Sequence, residues 1–208
     1  MRYEIVPLGT ISYFNFQFSI IMKVIETEIE GVFILEPQVF GDDRGYFFES
    51  FSLKHFEEKV SKTVFVQDNE SKSKYGVLRG LHYQLPPYTQ AKLVRVVKGR
   101  VLDVAVDIRR GSPTFGKYVA VELSEENKLQ LFLSKGFAHG FIVLSDYAEF
   151  CYKVTDFYHP NDEGGLLWKD PEIGVEWPMP EGMTEADLTL SDKDKVWSGI
   201  SEYVKNRK

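Results

Sequence analysis

The groups able to move a proton or grip an anion fall in a few stretches of this chain. The densest is FVQDNESKSKYGVLRGLHYQ (65–84), polar residues on an apolar background, with Arg79 and His82 set around Gly80. In a strand rising about 3.3 Å per residue their side chains stand roughly 10 Å apart, suited to different parts of one ligand. A neutral imidazole is a natural proton acceptor near neutral pH. The same two residues also suit an interior, His82 as a hydrogen-bonded core histidine and Arg79 as half of an internal ion pair. Lys92 and Arg95 open the next apolar stretch, and Arg44 follows an Asp-Asp turn. With Arg79 they offer the charge and forked donors that a diphosphate needs, although for Arg95 a solvated surface position fits better. His139, in GFAHGF, sits where the backbone comes close to something, whether ligand or packing. Tyr152 shares a strand face with Phe150 and Val154, where tyrosine is more often core than acid. On pattern alone, enzyme and binding module both stay open.

Other chemistries are poorly supplied. The histidines, at 55, 82, 139 and 159, form no H-x-H or H-x-x-x-H pair, so a metal site would have to be assembled from distant segments. The single cysteine, Cys151, excludes an internal disulfide and a multi-thiolate zinc site, and its run AEFCYKV suits a buried, inert thiol. There is no G-x-x-x-x-G-K-[ST] loop, no G-x-G-x-x-G and no G-x-S-x-G elbow. A net charge of −6 argues against nucleic acid as a partner. No run approaches the roughly 20 apolar residues of a membrane span. The lack of disulfides fits a reducing, cytoplasmic setting.

The elements that must position these groups are short strands. Runs rich in Val, Ile, Phe and Tyr, bounded by Gly, Asp, Asn or Pro, predict strands over 24–29, 32–40, 46–52, 64–68, 76–84, 92–98, 101–108, 117–123, 130–133, 140–144 and 148–155. KLVRVVKGRVLDVAVDIR (92–109) reads as two strands around a Lys98-Gly99 turn. Its second arm puts Leu102, Val104, Val106 and Ile108 on one face and Val101, Asp103, Ala105 and Asp107 on the other. One internal helix is expected, over 53–60, with Ser52 as its cap. Strands do not alternate with helices, which counts against a Rossmann sheet and points to a sandwich, jelly roll or barrel. With 208 residues, 43% of them hydrophobic, one domain over 22–208 is expected, its tail after Trp168 wrapping the barrel. Residues 1–21 read as an N-terminal extension, since Met22 opens a natural-looking start.

Six blocks then carry a specific resemblance: GDDRGYFFESF (41–51), FVQDNESKSKYGVLRGLHYQ (65–84), QAKLVRVVKGRVLDVAVDIRRGSPTFGKY (90–118), SKGFAHGFIVLS (134–145), WKDPEIGVEWP (168–178) and LSDKD (190–194). In order and spacing they resemble the dTDP-4-dehydrorhamnose 3,5-epimerase family, over nearly everything from Met22 to about residue 195. The resemblance implies an all-β, cupin-like jelly-roll barrel with a few short helices, a homodimer, and no metal or organic cofactor. It implies dTDP-4-dehydro-6-deoxy-D-glucose as substrate and dTDP-4-dehydro-β-L-rhamnose as product, in dTDP-L-rhamnose biosynthesis. By motif position His82 is the base, Asp194 its dyad partner and Tyr152 the acid. Arg44, Glu49, Gln67, Asn69, Arg79, Lys92, His139, Glu163 and Lys193 become substrate contacts, and Tyr158 the aromatic that stacks on thymine. The 21 residues before Met22, the loop 84–90 and the end KVWSGISEYVKNRK lie outside the pattern.

The residue types suit that reaction. A C4 ketone acidifies the hydrogens on C3 and C5, and inversion needs a base on one face and an acid on the other. Asp194 would orient the imidazole and stabilise its charged form. Lys92 would hold the enolate oxygen, and neutral Tyr152 would return a proton. Relatives that epimerise only one carbon share His82, Asp194 and Tyr152 and remain an alternative. A non-catalytic binding barrel would lack the acid or the base, and a metal-dependent cupin oxygenase would hold a metal.

Overall fold

The computed structural model describes residues 22–205; the expected extension over 1–21 lies outside the described residues. Among the described residues, thirteen strands and two α-helices follow one another. They are β1 (Lys23–Glu26), β2 (Val32–Glu36), β3 (Phe40–Asp42), β4 (Gly45–Phe47), α1 (Leu53–Lys59), β5 (Gln67–Lys74), β6 (Leu78–Gln84) and β7 (Lys92–Lys98). Then come β8 (Arg100–Asp107), β9 (Tyr118–Ser124), β10 (Gln130–Leu133), β11 (Phe137–Val143), β12 (Tyr147–Val154), β13 (Glu163–Gly165) and α2 (Ile200–Lys205). One sheet runs β1-β2-β10-β7-β12-β5, the other β13-β6-β11-β8-β9, and β3 and β4 form a separate hairpin. The result is a jelly-roll barrel, as expected.

Alternation along the strands decides what each face meets. Val94, Val96, Leu131, Leu133 and Phe150 of the first sheet pack against Val101, Ala105, Phe137, Phe141 and Val143 of the second, forming the barrel interior. The back of the second sheet presents Leu81, Val104, Val106 and Ile142, which the tail covers with Leu166, Trp168, Trp177, Ile200 and Tyr203. The two faces expected for residues 101–108 are therefore real, one inside the barrel and one under the tail. The back of the first sheet is covered by α1, whose Phe56 packs with Leu35, Leu93 and Phe132. Ser52 caps that helix, its Oγ accepting the His55 N–H at 3.4 Å, and Lys59 complements the dipole at the other end.

Several expectations need correction. The 92–109 stretch is no hairpin: β7 and β8 belong to different sheets, and Gly99, at φ +78°, turns the chain from one layer to the other. A Cβ at Gly99 would stand 2.0 Å from the Tyr147 carbonyl oxygen, so the corner requires glycine. The strand expected at 64–68 instead runs from Gln67 to Lys74, and the one expected at 46–52 ends at Phe47. Strands β3 and β13 and helix α2 were not expected.

Candidate active site

A cavity of about 510 Å³ opens between the sheets. Arg79 and His82 of β6 and His139 of β11 line it from one sheet, and Lys92 of β7 and Tyr152 of β12 from the other. Glu163 of β13 and Asp194 of the tail complete the polar lining, with Phe141 and Phe150 among the apolar residues. Strand register accounts for the grouping: His82 and His139 lie directly opposite each other on neighbouring strands, so their side chains share a face.

The His82 ring and Asp194 are joined between Nε2 and Oδ1 at 2.5 Å, although 112 residues separate them in sequence. A hydrogen on Nε2, shared with the carboxylate, leaves Nδ1 as the basic nitrogen. Asp194 is buried, 2% exposed, and Ser191 Oγ donates to its Oδ2 at 2.9 Å. Burial pushes this carboxyl up, but the hydrogen bond and charge of His82 and the bonds from Ser191 outweigh it and hold it below its usual value. The dyad therefore keeps an anion against the imidazole.

A second histidine–carboxylate pair lies beside the first. His139 Nε2 donates to both oxygens of Asp103, at 3.0 and 2.9 Å, and both residues are buried. Burial lowers the His139 pKa against the pull of Asp103, so the ring is neutral at pH 7. Lys92 is brought down to about 8, again by burial, with Asp103 and Glu163 pulling the other way. A lysine poised this close to neutrality would respond to negative charge developing beside it. Tyr152, on the opposite wall from His82, has its pKa raised by burial, with Arg79 opposing, and so stays a protonated phenol. Arg79 is oriented by its Nε–H donating to Ser73 Oγ at 3.0 Å.

At one edge Glu163 Oε2 accepts hydrogen bonds from Tyr158 Oη at 3.1 Å and from Lys193 Nζ at 2.5 Å. Tyr158 is half exposed, its ring available for stacking. The other expected contacts do not line this cavity within one chain. Arg44 sits in the β3–β4 hairpin, paired with Asp42 at 2.5 Å and 89% exposed. Glu49 is joined to His55 Nδ1 at 2.8 Å. Gln67 donates to Asn69 Oδ1 at 2.7 Å, and Asn69 lies opposite Tyr152 on the β5–β12 ladder. Asn69 also lines a shallower depression with Arg95 and Cys151, so Arg95 is not the simple surface charge expected. The Cys151 thiol is pushed up by burial and by Glu70, as befits an unreactive group.

A family model described as dTDP-4-dehydrorhamnose 3,5-epimerase matches residues 26–202. The chain belongs to this epimerase family. The Shigella flexneri dTDP-4-dehydrorhamnose 3,5-epimerase is 62% identical over 174 residues, covering 83% of this chain and 93% of its own length. The Escherichia coli (strain K12) enzyme of the same name is 54% identical over 185 residues, covering 88% and 97%. Among solved structures, a Legionella pneumophila dTDP-6-deoxy-D-glucose-3,5-epimerase in complex with dTDP-4-keto-L-rhamnose has a TM-score of 0.82 at 51% identity, covering 86% of this chain and 93% of that one.

Several residues of this cavity carry no role in the sequence reading. Asp103 was assigned to the correct strand face but given no role; the signal was an acid at an inward position of a strongly apolar strand. Ser71, Ser73 and Ser191, which line the cavity or orient its charged groups, carry no distinguishing signal outside their motifs. Among the described residues, no group of three or more His, Cys, Asp or Glu is placed to hold a metal ion, and no helix is long and apolar enough to cross a membrane.

Proposed function

We infer that the chain converts dTDP-4-dehydro-6-deoxy-D-glucose to dTDP-4-dehydro-β-L-rhamnose by epimerising C3 and C5. The observation that carries this reading is a histidine–carboxylate dyad and a protonated tyrosine on opposite walls of one cavity, with Lys92 also on its lining. His82 takes the proton from the carbon beside the ketone, and the C–H electron pair moves into the C4–O4 unit as an enolate. Lys92 supports the negative O4, and Asp194 stabilises the imidazolium. Tyr152 gives its phenolic proton to the opposite face of the same carbon, inverting it. His82 then loses its proton and Tyr152 regains one through solvent, so each inversion is balanced without redox change. Repeating the cycle at the other acidic carbon yields the double epimer.

Arg79 is the counter-charge for the diphosphate, Tyr158 stacks on the base, and Glu163 and Lys193 border the sugar. His139, neutral and held by Asp103, supplies a polar contact deep in the cavity. Residues 22–208 act as one domain in the cytoplasm. The working unit is a homodimer. Its support is the β3–β4 hairpin, which leaves Tyr46 and Phe47 60% and 64% exposed next to Arg44. An aromatic surface of this kind suits cover by a second copy, and Arg44 and Glu49 then serve that copy's cavity.

Proton NMR of the substrate in D2O with the purified, chelator-treated protein tests the chemistry. Deuterium entering both C3 and C5, with dTDP-L-rhamnose formed once a reductase and its hydride donor are added, is the expected result. Label at one carbon alone would make this a single-site epimerase. No label, with the nucleotide sugar still bound, would leave a binding barrel.

A further inference from the structure

The segment that carries Asp194 is anchored well away from the aspartate. Upstream, the Thr189 N–H donates to the Gly76 carbonyl at 3.0 Å, and the Leu78 N–H to the Thr189 carbonyl at 3.0 Å. Downstream, the Leu167 N–H donates to the Ser198 carbonyl at 2.9 Å, and Ile200 N–H to Asp170 Oδ2 at 2.6 Å. Between these anchors lie the Ser191–Asp194 turn and an exposed ion pair from Lys193 to Glu163. Lys195 and Val196 are exposed, Val196 to 77%.

Trp197 is the exception. Its indole meets Gly165 so closely that a Cβ on that glycine would stand 2.4 Å from Nε1 and Cε2. Gly165 pairs with His82 across the β13–β6 ladder. The indole therefore presses the segment that carries Asp194 onto the backbone opposite the histidine that Asp194 must meet. Its Nε1–H is buried and finds no acceptor among the described residues, so this contact is one of shape and not of hydrogen bonding.

We propose that Trp197 is a positioning residue for the His82–Asp194 dyad, its indole seated on Gly165 setting where Asp194 stands relative to the imidazole. The proposal rests on the reading of His82 as base. Glycine is required at 165 because any side chain would displace the indole, and a ring is required at 197 because only a flat, wide group fills the gap.

The test is deuterium exchange into the substrate at saturation, alongside KM and thermal midpoint, for W197A, W197F, G165A and the double variant G165A/W197A. A misplaced dyad costs rate, so W197A should lower the exchange rate about tenfold. KM should stay within about twofold, because Arg79 and Tyr158, proposed to hold the diphosphate and the base, lie outside this segment. W197F should restore most of the rate, since it supplies a ring and removes the unmet donor. G165A should lose rate by itself, yet add nothing to W197A, whose missing indole leaves room for the methyl group. Normal exchange in W197A overturns the proposal, as do a KM rising in step with the loss, no rescue by W197F, or additive losses in the double variant. If W197A fails to fold, W197F and G165A decide alone: exchange near normal in W197F with a loss in G165A supports the proposal, and any other pairing overturns it. H82A separates the two levels: exchange persisting in H82A would remove the base assignment itself, whereas its loss there with W197A unaffected removes only the role of Trp197.

Discussion

Lys92 places a pH dependence at a single residue. Burial brings its pKa to about 8, so it is charged at neutral pH and loses that charge as pH rises through this value. If it supports the enolate oxygen, kcat/KM falls on the alkaline side with a midpoint near that value, and a profile flat from about pH 7 to 9 would contradict the role. Stability runs the opposite way. The folded pKa lies below the lysine's ordinary 10.5, so the unfolded chain binds more protons between about 8 and 10.5, and stability rises with pH across that window. At pH 7 the buried ammonium is thus a liability of roughly 3 kcal/mol. Lys92→Met should raise the thermal midpoint at pH 7 while lowering kcat; an unchanged midpoint would mean that the ammonium is better solvated than its burial implies. The dyad and the acid separate by a different measurement. His82→Ala should reduce exchange about 10²–10⁴-fold, whereas Tyr152→Phe should keep some exchange yet lose inversion, and full turnover by either removes its role. At this scale much was legible: His82, Arg79 and Lys92 stood out by type in apolar surroundings. Asp103 did not, because the histidine that satisfies it lies 36 residues away, and only the pairing of β8 with β11 joins them.

Helix α1 is attached to the barrel by one buried side chain. Phe56 is its only buried residue, and the ring meets Phe132 at a centroid distance of 5.1 Å and Phe65 at 5.3 Å. Phe56→Ala should destabilise the protein by about 3–5 kcal/mol in equilibrium urea unfolding. A cost below about 1 kcal/mol would show that the site collapses around the gap. The helix was legible from LKHFEEKV and the Ser52 cap before it. Strand β5 was not, and its composition explains why. Of Gln67–Lys74 only Ser73 is buried, and one face carries Gln67, Asn69, Ser71 and Ser73, so the hydrophobic alternation that marks a strand is absent. Strand β13 is three residues with two glycines, recognisable only by what it pairs with. The corner at Gly99 misled for a related reason. A tight turn between alternating runs looks the same whether the chain folds back beside itself or crosses to the opposite sheet, and only the third dimension separates these.

For the whole molecule, the proposed contact of Arg44 with a diphosphate poses a problem of reach, because its hairpin lines no part of its own chain's main cavity. A homodimer in which each hairpin serves the neighbour resolves it, and the arrangement has a signature that no monomer can produce. Arg44→Ala alone should weaken substrate binding, and His82→Ala alone should abolish turnover. When the two variants are unfolded together and refolded as a mixture, half of the dimers combine one chain of each kind. In such a dimer the chain carrying Arg44→Ala still holds an intact His82, and it receives an intact Arg44 from its partner. One site in two is whole, so the mixture should recover about a quarter of wild-type activity at limiting substrate. Were Arg44 to act within its own chain, every site would lack either the arginine or the base, and mixing would restore nothing. Light scattering of the refolded mixture supplies the control. A dimeric mass with no recovery would place Arg44 in its own chain's site, and a monomeric mass would remove the dimer and with it this account of the exposed Tyr46 and Phe47.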